Sequence, residues 1–131
     1  MPGNWQAVGL VWLRFLVGCG IASHGLEKIF GGKIEGFSQA VAHLGFPLPS
    51  LFAWAAALSE GLGGLCLAVG LGTRVAAFFI FCTMSVALFL QHRADPFQTK
   101  ELAYLYWSVS GALMMLGGGS YALEQRIRTR R

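Results

Sequence analysis

Charged side chains are scarce in this chain. Of its 131 residues, 12% are Asp, Glu, Lys or Arg, against roughly 25% in ordinary soluble domains. A water-soluble enzyme of this size would have too little polar surface to cover so much apolar material. Cysteine is also sparse: Cys19, Cys66 and Cys82 stand singly inside apolar stretches. With no C-x-x-C, neither a thioredoxin-like dithiol nor a thiolate zinc site is supported, and the three thiols read as small core residues. Outside the extreme C-terminus there is no basic cluster, which argues against nucleic acid as a partner. No repeat, low-complexity tract or polar linker divides the chain, so 1–131 reads as a single domain. The opening MPGNWQAVGL has no positive n-region and is followed by no A-x-A-like site, so the first apolar segment is expected to stay in the mature protein.

What the chain has in abundance is hydrophobic sequence, 55% of all residues. It falls into four runs: Val8 to about Phe30, Ser50 to about Leu71, Arg74 to about Gln91, and about Pro96 to Gly117. Each is long enough to cross a hydrocarbon layer of about 30 Å as a helix. Period-two alternation is missing, and Leu, Ala, Met and Phe dominate, so strands are poor alternatives. The expected fold is an all-α, integral-membrane four-helix bundle.

The breaks between runs carry their own chemistry. Gly31-Gly32 ends the first helix. Phe37, Val41, Leu44 and Phe46 fall along one side of the next stretch, which suggests a short interfacial helix between helices 1 and 2. Pro47-Leu48-Pro49 stops it, and Ser50 is expected to cap the second long helix. Gly70, Gly72 and Thr73 form a tight turn. Asp95-Pro96-Phe97-Gln98 predicts a start with Asp95 as N-cap, Pro96 at N1 and Gln98 closing a capping box.

An even number of crossings puts both termini on one face, together with Arg74, Arg126, Arg128, Arg130 and Arg131. The other face has Lys33, Arg93 and Lys100, with Lys28 at its border. This bias predicts a multi-pass protein of the bacterial inner (plasma) membrane with both ends in the cytoplasm. Trp5 and Trp12 would then lie toward the inner belt, and Trp54, Tyr104 and Trp107 toward the outer one.

A few polar residues sit where lipid makes them costly. Arg14 and Glu60 lie about 9 and 15 Å from the inner boundary at about 1.5 Å per residue, a gap that an extended arginine can span. An Arg14–Glu60 pair is therefore expected, as a register-fixing contact or as part of a functional path. Arg14, Gly18, Ile21, Gly25 and Lys28 share one face of the first helix. Ala53, Ala57, Glu60, Gly61 and Gly64 form a small-residue face on the second, which favours close packing.

A second polar cluster sits at the outer end: His24, Glu27 and Lys28, then His92 and Glu101. His24 and Lys28 are one turn apart and suit proton transfer, which makes them the candidate catalytic residues. His92, Glu101, Tyr104, Trp107 and Ser108 are the candidate lining of a ligand pocket, with Tyr106 and Ser110 of the fourth run beside them, shaped for a flat ring with carbonyl oxygens such as a quinone. H-G-L-E-K is not H-E-x-x-H, and no metal is expected. Ordinary hydrogen bonding at the interface accounts for the same residues without a ligand.

The combination of LRFLVGCGIASHGLEKIFG from Leu13, LGFPLPSLFAWAAALSEGLGGLCLAVGLGTRVAAF from Leu44 and the later HRADPF resembles the DoxX family of small four-helix bacterial membrane proteins. The four-run layout extends this likeness to the whole chain. The resemblance implies association with oxidoreductases, since related proteins form part of a thiosulfate:quinone oxidoreductase and others are linked to membrane redox complexes. It carries over Arg14, His24, Lys28 and Glu60 as the polar positions of interest. On this reading the protein is an inner-membrane subunit of quinone-linked oxidoreductase chemistry, with quinone as its candidate cofactor and a partner oxidoreductase subunit or a second copy as its candidate partners. A non-catalytic scaffold for such a partner and a small-solute permease are the alternatives.

Overall fold

The computed structural model describes residues 2–131, with side chains from Trp5 onward. Helix α1 spans Pro2–Phe30, α2 Ile34–His43, α3 Pro49–Val69, α4 Thr73–Val86, α5 Phe97–Leu116 and α6 Leu123–Thr129; a π-helical turn, Ala87–Gln91, prolongs α4. Three segments have the length and apolarity to cross a membrane: Trp5–Phe30, Pro49–Val69 and Thr73–Gln91. The protein is an all-α, multi-span membrane protein with three long apolar helices and a short helix between the first two. The fourth run forms α5, 20 residues long. Lys100, Glu101 and a set of Ser and Tyr residues dilute its apolar character.

Outward surfaces are apolar: Trp5, Trp12, Leu62, Val75, Phe79 and Leu105 are all exposed. This is the inside-out arrangement expected of a lipid solvent, where the driving force between helices is close packing and not escape from water. Helices α1 and α3 show it best. A Cβ added to Gly18 would meet Gly64 O at 2.5 Å and Ala68 N at 2.6 Å; one added to Gly64 would meet Ala22 N at 2.5 Å. The two backbones are in direct contact, antiparallel, with glycine set against glycine. Ile21, Leu67, Ala77, Ile80 and Leu113 fill the centre where α1, α3, α4 and α5 meet.

Several local expectations are corrected. Helix α3 starts at Pro49 behind Leu48, which has a left-handed φ of 51°. Ser50 does not cap it; its hydroxyl pairs with that of Ser38 on α2. Helix α5 starts after Pro96. Asp95 is not its cap, because its carboxylate is taken by His92 Nδ1 at 2.7 Å. Cys19 and Cys82 are exposed, not packed in the core. The short helix expected between the first two spans is α2, whose apolar side packs on α3 with Val41 buried.

Candidate functional site

Side chains on a helix lean toward its N-terminus, and this decides which charges meet. Since α1 and α3 run antiparallel, Lys28 leans from α1 toward the middle of the bundle while Glu60 on α3 leans toward Lys28. Lys28 Nζ donates to both carboxylate oxygens of Glu60, at 3.0 Å and 2.9 Å. The Glu60 side chain is 4% exposed and that of Lys28 is 25% exposed. The ammonium also lies 4.2 Å from the centroid of the Phe37 ring on α2, a cation–π contact.

The expected Arg14–Glu60 pair does not form. Gly18 lies opposite Gly64 and Ala68, and Gly25 lies opposite Ala57 and Gly61. That register sets Arg14 beyond the C-terminal part of α3, roughly two to three turns of helix from Glu60, and its side chain leans the wrong way to close the gap. Arg14, buried, instead donates to backbone carbonyls: Ala68 at 2.6 Å, Gly118 at 3.2 Å, Leu67 at 3.3 Å and Tyr121 at 3.4 Å. It ties α1 to the end of α3 and to the loop before α6. This guanidinium is a structural clamp of charge-assisted hydrogen bonds.

The Lys28–Glu60 pair stands in a wall shared by two cavities. One, of about 340 Å³, opens between α2, α3 and α4, with Phe37, Phe46, Phe52 and Phe79 among its lining. The other, of about 230 Å³, reaches α5 and is lined by His24, His92, Thr99 and Tyr106 as well as by Lys28 and Glu60. Phe37, Ala87 and Gln91 also border both. The π turn brings Ala87 and Gln91 there. His92 N reaches Ala87 O at 2.9 Å, so the turn holds one residue more than an α turn.

The candidate residues divide accordingly. His24 and Lys28 line the second cavity, and the His24 ring meets Tyr106 edge-on with centroids 6.1 Å apart. His92 lines it as well, but Glu101, Tyr104, Trp107 and Ser108 do not. At about 100° per residue, the inward face of α5 is Thr99, Leu102, Ala103 and Tyr106. Trp107 instead faces α4, stacked on Phe81 and donating to Ser85 Oγ at 3.0 Å. Ser108 bonds back to Tyr104 O, and Glu101 and Tyr104 are exposed. Of the fourth-run rings and serines, Tyr106 is the one that lines the cavity, as the three- and four-residue steps from Thr99 require; Gln91 was missed. Among the described residues, no three of His, Cys, Asp and Glu gather as a metal site. Glu27, at the same end of α1, pairs with Lys33.

This arrangement offers a buried, paired ammonium–carboxylate couple facing an aromatic, apolar space on one side and two imidazoles and a phenol on the other. It can orient a polar atom of an otherwise apolar molecule and exchange a proton with it.

No solved structure matches the chain. It is similar to a curated protein of Bacillus subtilis (strain 168), "Putative oxidoreductase CatD", 31% identical over 118 residues that cover 89% of this chain and 85% of the relative. The DoxX family model matches residues 9–93, from the first turns of α1 past the π turn, and so includes Arg14, His24, Lys28, Glu60 and His92. A match over more than half the chain, on the residues that build both the clamp and the cavity wall, makes this protein a member of the DoxX family.

Proposed function

We propose that the protein is an inner-membrane subunit associated with quinone-linked oxidoreductase chemistry, spanning the membrane four times with both termini in the cytoplasm. The observation that carries this reading is the Lys28–Glu60 pair in the wall between an apolar cavity and a polar one. Family membership and the name of the Bacillus relative support the oxidoreductase association. A volume of about 340 Å³ lies at the low end for small-molecule pockets. It suits one substituted ring, with any isoprenoid tail passing out toward lipid.

The residues fit such a ring. Phe37, Phe52 and Phe79 supply flat apolar contacts, and Lys28 Nζ supplies a donor for a ring carbonyl oxygen. A bound quinone supplies two-electron, two-proton carrier chemistry; the electrons come from or go to a partner oxidoreductase subunit. Glu60 holds the Lys28 ammonium in place, Phe37 shields it from water, and His24 passes protons between Lys28 and the aqueous end of the second cavity.

The test is native mass spectrometry on the detergent-extracted protein, for co-extracted quinone and for retention of an added short-chain benzoquinone or naphthoquinone. Wild type is expected to retain quinone in stoichiometric amount. Ala56→Phe, which fills the apolar cavity, is expected to lose it, and Lys28→Met to weaken it. Retention unchanged in Ala56→Phe would sink the assignment.

A further inference from the structure

At the other end of the bundle lies a larger and more polar cavity, about 690 Å³, that the reading above does not use. It is lined by Arg74 at the start of α4, Arg128 on α6 and the loop Gly117-Gly118-Gly119-Ser120, with Val75 and Leu116 on its flank. We propose that this cavity binds an anionic phosphoryl group, held between the Arg74 and Arg128 guanidinium groups and the glycine loop.

The charges come first. Among the described residues neither arginine takes part in an ion pair or a side-chain hydrogen bond, although Arg74 Nε lies only 3.1 Å from where a Cβ on Gly117 would be. The acid that lines the same space, Glu124, accepts a bond from Thr73 N at 3.3 Å. Two forked donors with no partner and one shared wall are what a phosphate recognises bidentately.

The loop adds backbone donors. Gly117 N is bonded to Leu113 O and Ala122 N to Gly119 O, whereas the amides of Gly118, Gly119 and Ser120 have no partner among the described residues. Gly118 is buried, and buried amides are otherwise almost always paired. A Cβ on Gly118 would fall 2.6 Å from Thr73 Oγ1 and 2.7 Å from Ala122 Cβ, so only glycine lets the loop pass this close.

The flank indicates the source. Val75 and Leu116 border the cavity yet are 62% and 60% exposed. The polar space thus opens directly beside surface suited to acyl chains, which favours the headgroup of an acidic phospholipid over a free phosphate.

The purified full-length protein in detergent is titrated by native mass spectrometry with dioleoyl-phosphatidylglycerol, with dioleoyl-phosphatidylcholine as the zwitterionic reference and inorganic phosphate as soluble competitor. Phosphatidylglycerol is expected to bind in preference, and Arg74→Gln and Arg128→Gln each to weaken it about tenfold, the worth of one charged hydrogen-bonding partner. The control Arg130→Gln/Arg131→Gln removes as much charge as the cavity pair Arg74→Gln/Arg128→Gln, but outside the cavity, and is expected to change binding by less than about threefold. Arg74→Lys/Arg128→Lys keeps charge and fold but loses the fork, and is expected to fall between the two. Arginine-dependent binding of inorganic phosphate without phosphatidylglycerol supports the phosphoryl site and assigns it a soluble ligand. Equal losses in the cavity and control pairs, or no loss in the cavity pair, overturn the proposal. None of these outcomes depends on quinone retention.

Discussion

Removing either partner of the Lys28–Glu60 pair will not cost the same. The Glu60 side chain is 4% exposed and the Lys28 side chain 25%. In Lys28→Met the carboxylate keeps its burial and loses both of its hydrogen bonds, a loss of about 3–5 kcal/mol for a stranded buried charge. In Glu60→Gln the ammonium keeps an amide oxygen and the Phe37 ring at 4.2 Å, and its flexible stem can turn the head toward water. That change is expected to cost about 1–2 kcal/mol. The double variant Lys28→Met/Glu60→Gln strands no charge and is expected to resemble Glu60→Gln alone, which leaves a coupling of about 3–5 kcal/mol, the whole cost of Lys28→Met. Each protein is unfolded by titrating SDS into a mild-detergent micelle while helical circular dichroism is followed. The reasoning fails if Glu60→Gln destabilises as much as Lys28→Met, or if the double variant equals the sum of the singles.

Other expectations follow from the packing and the clamp. Gly25→Val pushes a side chain into Ala57 O, 2.7 Å from the Cβ position, and should abolish folded yield, whereas Gly9→Ala, with nothing within 4 Å, should leave it unchanged; gel filtration in detergent separates the two. Arg14→Gln should cost at least about 3 kcal/mol, and Arg14→Lys should rescue little, since one ammonium cannot meet carbonyls spread over Leu67, Ala68, Gly118 and Tyr121; the same SDS titration reads both. Cys82 is exposed and borders the aromatic cavity, so a membrane-permeant maleimide should label it, and added short-chain quinone should slow that labelling. Tags on either terminus should be protected from protease in right-side-out vesicles, and digestion of either would reverse the orientation.

The helices, the small-residue faces and the end clusters are legible in the sequence because lipid demands long unbroken apolar runs and close backbones. The error at Arg14 is instructive. Depth along the membrane allowed Arg14 to reach Glu60; the direction in which helical side chains lean did not. Setting Gly18 against Gly64 and Gly25 against Gly61 would have paired Lys28 with Glu60 from the sequence alone. The cap at Asp95 was overruled by a tertiary contact, its bond to His92. The π turn has no such signal. ALFLQ reads as ordinary helix, and so the placement of Gln91 beside both cavities was out of reach. On α5 every aromatic was visible, but only the facing of the helix distinguishes Tyr106 from Tyr104 and Trp107.

The Arg14 clamp also bears on the order in which the chain is made. Arg14 leaves the ribosome long before two of its acceptors, on Gly118 and Tyr121, which lie 104 and 107 positions later. Until that loop is made, the cation on the first helix has only the carbonyls of Leu67 and Ala68 to meet. Its set of acceptors is complete only when the loop before α6 is in place. The loop before α6 thus acts as a latch on the first helix, and a chain cut before Gly118 is expected to leave the guanidinium with half of its acceptors.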